Sequence, residues 1–197
     1  MEIDLSKLTP DIRCLNDMEA VIYDKEWLKT ADNLELYYMY RGLEEKDGLR
    51  YDITTIPSKM LGSEFVKTKG HYHVGAGQEL YTVLDGSAIY LLQKKNEAGD
   101  IEDAYAVKAE RGDVVIMPPF YGHVTINPSK IKELKMANWV SKDCKSDYSE
   151  FVKLEGACYY YTNKNWVKNE NYKNVPDLRF EEPLKSIPQN LEFLKHC

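Results

Sequence analysis

The chain has 197 residues, which is the size of one domain or of one domain with extensions. Apolar residues make up 43% of it and charged residues 29%, so a buried core can form. The formal net charge of −6 argues against a nucleic-acid-binding protein, because such proteins present a basic face to phosphates.

The first part of the chain is predicted to be an extension followed by a hairpin. The extension covers residues 1–33 and contains one short helix. Residues 34–41 are rich in aromatic side chains and are predicted as a strand, with residues 50–57 as the returning strand. Asp47-Gly48 lies between them and is typical of a tight hairpin turn.

Short strand segments then follow one another at regular spacing. They alternate with turns built from glycine, proline and aspartate, which predicts an all-β barrel or sandwich. An α/β fold is disfavoured, because no helical stretch of about 10–15 residues separates the strands. We expect a barrel over residues 34–161 and an irregular C-terminal arm over residues 162–197 that packs on the barrel.

The pattern of cysteines and the length of the apolar runs indicate the cellular compartment of the protein. Cys14, Cys144, Cys158 and Cys197 form no C-x-x-C pair and suggest no disulfide framework, so we expect free thiols in a reducing compartment. Residues 1–13 lack an apolar stretch of signal-peptide length, and no run reaches the ~18 apolar residues of a membrane span. We expect a soluble, cytoplasmic protein that does not bind a membrane.

Three of the four histidines lie within a short part of the sequence. His71 and His73 are two residues apart, and alternate residues of a strand point to one face, so both imidazoles can be directed at one point. Glu79 follows the turn-forming residues 75–77, and His123 comes from a later strand pair. Three imidazoles and one carboxylate suit a divalent transition metal rather than Mg or Ca.

One turn and one residue are expected to support this site. Asp85-Gly86 is predicted to close a hairpin that begins near Glu79. A metal-bound imidazole usually has a partner at its second ring nitrogen, and Asn127 is one candidate partner for His123.

Two segments resemble the sequence motifs of cupins, which are jelly-roll β-barrels. The first is Gly70-His71-Tyr72-His73-(x)5-Glu79-(x)6-Gly86, and the second is Gly112-(x)5-Pro118-(x)4-His123-(x)3-Asn127. The resemblance implies that the metal ligands lie on the inner face of the barrel. The chain departs from the motifs at Phe65 and Phe120, where cupins usually have glycine.

The string Thr68-Lys69-Gly70-His71-Tyr72-His73 is more specific. It resembles the cupin-type glucose-6-phosphate isomerases of archaea and some bacteria, and the similarity covers about residues 12–155. The resemblance implies a metal site with four ligands, which are His71, His73, Glu79 and His123. It also implies a set of substrate-binding residues, which are Thr54, Thr68, Gly70, Tyr81, Tyr148 and Tyr37.

Two positions depart from the pattern of that family. Its members commonly have a histidine where this chain has Ser146, and a pocket tyrosine is replaced by Trp139. A proton-relay or ring-opening role of that histidine would be missing or reassigned. No arginine cluster is evident, which is consistent with neutral hydroxyl and amide groups that hold a phosphate.

The resemblance implies an isomerase that interconverts glucose 6-phosphate and fructose 6-phosphate in glycolysis or gluconeogenesis, and that forms a homodimer. One divalent transition metal per subunit would act as a Lewis acid at the substrate oxygens O1 and O2. Fe2+ is the first candidate, with Mn2+, Ni2+, Zn2+ and Co2+ as alternatives. Glu79 would be the catalytic residue that exchanges a proton with C1 and C2 through a cis-enediol. The alternative is a metal-promoted hydride shift, which needs no base.

Two other functions are compatible with the same residues. A cupin oxygenase also uses an iron site of three histidines and one glutamate, and it would consume oxygen with its substrate. A sugar-phosphate-binding cupin without turnover is compatible with Ser146 and Trp139. It would bind fructose 6-phosphate without converting it.

Overall fold

Strands dominate the computed structural model, which describes residues 3–197; the first two residues of the expected extension lie outside it. Two short helices are present, α1 (Lys25–Leu28) and α2 (Ser149–Lys153), together with single 3₁₀ turns at Leu5–Lys7, Leu15–Asp17, Glu19–Val21 and Glu192–Lys195. The strands are β1 (Asp11–Cys14), β2 (Glu35–Lys46), β3 (Leu49–Ile56), β4 (Met60–Leu61), β5 (Glu64–Phe65), β6 (Tyr72–His73), β7 (Glu79–Asp85), β8 (Ser87–Lys95), β9 (Ile101–Glu110), β10 (Val114–Met117), β11 (Tyr121–Ile126), β12 (Leu134–Ser141), β13 (Ser146–Asp147), β14 (Tyr159–Tyr161), β15 (Trp166–Lys168) and β16 (Arg179–Glu181). None of the helices in residues 3–197 has the length and apolar character needed to cross a membrane.

Two main sheets enclose the larger of two hydrophobic clusters. The larger sheet is antiparallel and has the strand order β1-β2-β3-β12-β7-β10. The smaller sheet has the order β11-β8-β9-β16, in which β16 pairs parallel to β9. Side chains from both sheets meet in the core, where the rings of Tyr81 in β7 and Tyr90 in β8 lie 5.3 Å apart. This arrangement confirms the expected all-β barrel of cupin type.

The two Asp-Gly turns have different roles. Asp47 and Gly48 adopt φ values of +53° and +81° and join the paired strands β2 and β3, so the predicted first hairpin is confirmed. The prediction of a hairpin at Asp85-Gly86 is wrong. Strand β7 pairs with β10 and β12, whereas β8 pairs with β9 and β11, so this turn carries the chain from one sheet to the other.

The segments at both ends of the chain contact the barrel. Strand β1 extends the larger sheet beside β2, and β16 extends the smaller sheet beside β9. The 3₁₀ turn Glu192–Lys195 lies against β12, where Leu194 is fully buried in a small cluster with Leu49, Leu80 and Val114.

The expectation that all four cysteines are free is wrong for two of them. Cys144 and Cys197 form a disulfide, with their Cα atoms 5.2 Å apart, whereas Cys14 and Cys158 are free. The two bonded residues are 53 positions apart in the sequence, and only the path of the C-terminal segment brings them together. The argument for a reducing compartment therefore loses its support, because disulfides persist mainly in oxidising environments.

Candidate metal centre

The four predicted metal ligands converge on one point inside the barrel. His71 and His123 are joined by reciprocal backbone hydrogen bonds of 3.2 and 3.0 Å, which align the approach to β6 with β11. His73 lies in β6, and Glu79 is the first residue of β7. One ligand atom from each of the four residues lies within 4.8 Å of the others, so the structure brings together all the residues that the sequence pattern selected.

Glycines allow the chain to pass close to this cluster. Gly70 adopts a φ of +80°, and a side chain there would collide with Phe151 and Val124. A side chain at Gly77 would collide with both sulfur atoms of the Cys144–Cys197 disulfide. The loop that joins His73 to Glu79 therefore fits between the disulfide and the ligands only because residue 77 has no side chain.

Several polar atoms of the cluster are buried without a hydrogen-bond partner. Within residues 3–197, no group hydrogen-bonds to Glu79 Oε2 or to either ring nitrogen of His123. Glu79 Oε2 lies 3.3 Å from His73 Nε2 and 3.4 Å from His123 Nε2. Buried polar atoms left in this way are costly, and a divalent cation among them would satisfy Glu79 Oε2 and one ring nitrogen of His123. The buried His, His, Glu and His donors thus fit a divalent metal ion.

One imidazole has a partner that fixes its orientation. His73 Nδ1 lies 3.1 Å from the carbonyl oxygen of Gly77 and, when protonated, donates to it, which leaves Nε2 free for a metal. The expected pairing of Asn127 with His123 is wrong. Asn127 donates from its side chain to the carbonyl oxygens of Ile56 and Lys132 and contributes to a turn instead.

Burial and mutual attraction set the charge states of the ligands. Burial lowers the pKa of His71 well below its usual value and also lowers the pKa of His123, so both are neutral at pH 7, as metal ligation requires. Burial also opposes the charged form of His73, but the adjacent carboxylate of Glu79 raises the pKa of His73 above its usual value. Burial alone would raise the pKa of Glu79. The imidazoles of His123 and His73 outweigh it and hold that pKa well below its usual value.

The four candidate metal ligands, called the metal cluster below, line the same cavity as the predicted substrate residues. We call this cavity the metal cavity. The six predicted residues that line it beside the ligands are Thr54, Thr68, Gly70, Tyr81, Tyr148 and Tyr37. Alternate residues of β3 and β12 face this cavity, so Asn138 and Val140 line it. Trp139, between them, packs on the opposite face with Tyr51, and the expectation that Trp139 replaces a pocket residue is wrong. Ser146 does line the cavity.

The cavity also contains charged residues that were not predicted. Arg41, Arg50 and Lys69 line it, so the expectation that no arginine cluster exists is wrong. Arg50 Nε donates to Asp52 Oδ2 at 2.9 Å, and Asp52 Oδ1 accepts from the backbone of Gly42 at 2.7 Å. The alternation of residues 50, 52 and 54 along one strand was the signal that could have placed Arg50 and Asp52 beside Thr54.

Comparisons with known proteins point to one family. The family model described as glucose-6-phosphate isomerase matches residues 12–177. The glucose-6-phosphate isomerase of Thermococcus litoralis is 34% identical over 122 residues, and that of Pyrococcus furiosus is 35% identical over 124 residues. Each match covers 59% of this chain and 62% of the relative, so the chain spans less than two thirds of the length of these relatives.

A solved structure is similar to part of the chain. An oxalate oxidase in complex with the substrate analogue glycolate is 12% identical, with a TM-score of 0.46, over 58% of this chain and 56% of its own. The family model, by contrast, matches most of the sequence, including all four metal-ligand candidates and the six residues that line the cavity beside them. The chain therefore belongs to the glucose-6-phosphate isomerase family.

Proposed function

We propose that this chain is a metal-dependent glucose-6-phosphate isomerase that interconverts glucose 6-phosphate and fructose 6-phosphate. One observation carries the proposal: in a chain of this family, the metal cluster and the six predicted substrate residues line the same cavity. The same cavity therefore offers ligands for a metal and polar groups that can bind a sugar phosphate.

The metal would be held by His71, His73, Glu79 and His123, with Fe2+ as the first candidate and Mn2+, Ni2+, Zn2+ or Co2+ as alternatives. When bound, the ion would supply Lewis-acid polarisation of the substrate oxygens O1 and O2.

The phosphate would be held by the hydroxyl groups and the amide that line the same cavity. Burial and the nearby charge of Glu79 raise the pKa of Tyr81 well above its usual value, so its hydroxyl stays protonated and can donate to a phosphate oxygen. Burial likewise raises the pKa of Tyr37. Thr68 Oγ1 accepts from the backbone of Thr125 at 2.9 Å, which leaves its own proton for the ligand.

Glu79 would be the residue that moves a proton between C1 and C2 of the open-chain sugar. Its position in the ligand cluster supports this role, because a substrate bound at the metal would lie beside it, and one oxygen of a carboxylate can accept a proton while the other remains a ligand. Deuterium from the solvent would then enter C2 during turnover. Complete absence of deuterium would assign the reaction to a hydride shift instead.

The proposal is tested by removing and restoring the metal. Chelated protein should lose isomerase activity in a coupled assay with fructose 6-phosphate, and at least one of the five metals should restore it. His123→Ala, which removes one ligand, should bind the metal poorly and stay inactive. Inactivity of the wild-type protein with every metal would overturn the proposal. Oxygen consumption, or binding of fructose 6-phosphate without turnover, would then identify an oxygenase or a sugar-phosphate-binding protein.

The proposal includes a homodimer that functions in the cytoplasm, in glycolysis or gluconeogenesis. These expectations come from the family resemblance and the sequence. The Cys144–Cys197 disulfide speaks against the cytoplasm, because disulfides persist mainly in oxidising compartments. Fractionation of the source cells would show which compartment contains the protein.

A further inference from the structure

Asn138 distinguishes the two carboxylate oxygens of Glu79. Its Nδ2 donates to Glu79 Oε1 at 2.6 Å, and both residues are buried. The amide nitrogen rather than the amide oxygen has to face Glu79, because an ionised carboxylate only accepts hydrogen bonds. Glu79 Oε2, in contrast, faces Nε2 of His73 and Nε2 of His123 and accepts no hydrogen bond from residues 3–197.

The backbone around Asn138 is held on both sides. Strand β12 lies between β3 and β7, and Asn138 is paired with Asp52 on one side and with Tyr81 on the other. Its side chain has little freedom to leave the cavity, because the strand cannot slip by one residue without turning Trp139 inward. The Asn138 amide that donates to Glu79 Oε1 is therefore held in place by the sheet.

We propose that Asn138 is a positioning residue for Glu79. It directs Oε2 to the metal and keeps Oε1 off the metal, so that Oε1 is the oxygen available for the proton that moves between C1 and C2. The terminal torsion of a glutamate is broad, and without the amide the two oxygens could exchange places or both bind the metal. The assignment of Oε2 as the metal ligand depends only on the metal cluster. The role of Oε1 in proton transfer rests on the proposed isomerase function.

The test is a comparison of Asn138→Leu with the wild-type protein loaded with Co2+, whose visible absorption reports its coordination. Loss of a residue that orients a metal ligand typically costs roughly 10–100-fold in metal affinity or activity. We expect Asn138→Leu to weaken Co2+ binding by a factor in this range and to change the Co2+ spectrum. We also expect a lower kcat for fructose 6-phosphate with little change in KM, because Asn138 acts through Glu79. Asn138→Ala serves as a second variant if the leucine variant does not fold.

Trp139→Phe is the matched control, because it changes the next residue of the same strand on the opposite face. This variant should retain the wild-type Co2+ affinity, spectrum and kcat. Wild-type Co2+ affinity together with an unchanged spectrum in both Asn138 variants would overturn the inference. The metal readout decides this even if the wild-type protein shows no isomerase activity, in which case only the proposed function fails.

Discussion

Phe120 occupies a backbone conformation that glycine adopts more readily. Its φ is +68°, in the left-handed region, and the residue is 57% exposed. Cupin motifs usually have glycine at this position, so the departure in the sequence changes the side chain but not the turn. The left-handed conformation costs about 1–2 kcal/mol for a residue with a Cβ atom.

Phe120→Gly should therefore stabilise the protein. The relief of strain exceeds the extra entropy that glycine gives the unfolded chain, about 0.5–1 kcal/mol, so a net gain of about 0.5–1 kcal/mol is expected in urea unfolding. Phe120→Ala is the control, because it removes the same ring and keeps the strain. A glycine variant that is less stable than the alanine variant would contradict this explanation.

At the level of single elements, β5 and its surroundings contain a buried ion pair away from the metal cavity. Glu64 and Lys67 are in contact and both are almost fully buried. Burial raises the pKa of Glu64 and lowers the pKa of Lys67, and their mutual attraction opposes both shifts. Glu64 also accepts a hydrogen bond from the backbone of Tyr23, and Lys67 lies 4.8 Å from the ring of Tyr160.

Glu64→Gln should destabilise the protein by about 3–5 kcal/mol, because it leaves the ammonium group of Lys67 buried without its partner. The double variant Glu64→Gln/Lys67→Met should regain most of this loss, since it buries no charge and retains an acceptor for Tyr23. Chemical unfolding of both variants measures the difference. Equal stability of the single and double variants would show that the unpaired charge is not the cause.

The register of the strands explains what the sequence could and could not predict. The cluster of four candidate ligands was predictable because the spacing of His71, His73 and the following Glu79 is local, and because His123 belongs to a recognisable motif. The contact of Asn138 with Glu79 was not predictable, because it depends on how β12 pairs with β3 and β7. The Asp85-Gly86 turn shows the same limit, since its residues predict a turn but not the sheet that the next strand joins.

For the whole molecule, we expect a homodimer in solution. The expectation comes from the family resemblance, and the chain mass is 22.8 kDa. Sizing with light scattering should give about twice this mass over the concentration range of the activity assay. A mass equal to that of a single chain would contradict the prediction. All residues that line the metal cavity would then come from one chain.

The Cys144–Cys197 disulfide joins the C-terminal segment to the wall of the metal cavity. Cys144 lines the cavity, and both sulfur atoms lie against Gly77, whose carbonyl oxygen contacts His73 Nδ1. A thiol reductant would convert this bond into two separate thiols and remove the covalent link between Cys197 and the wall of the cavity beside Gly77. Metal affinities measured with and without dithiothreitol would then refer to two covalent forms of the protein. The presence of a reductant in the purification buffer therefore decides which form of the metal site is measured.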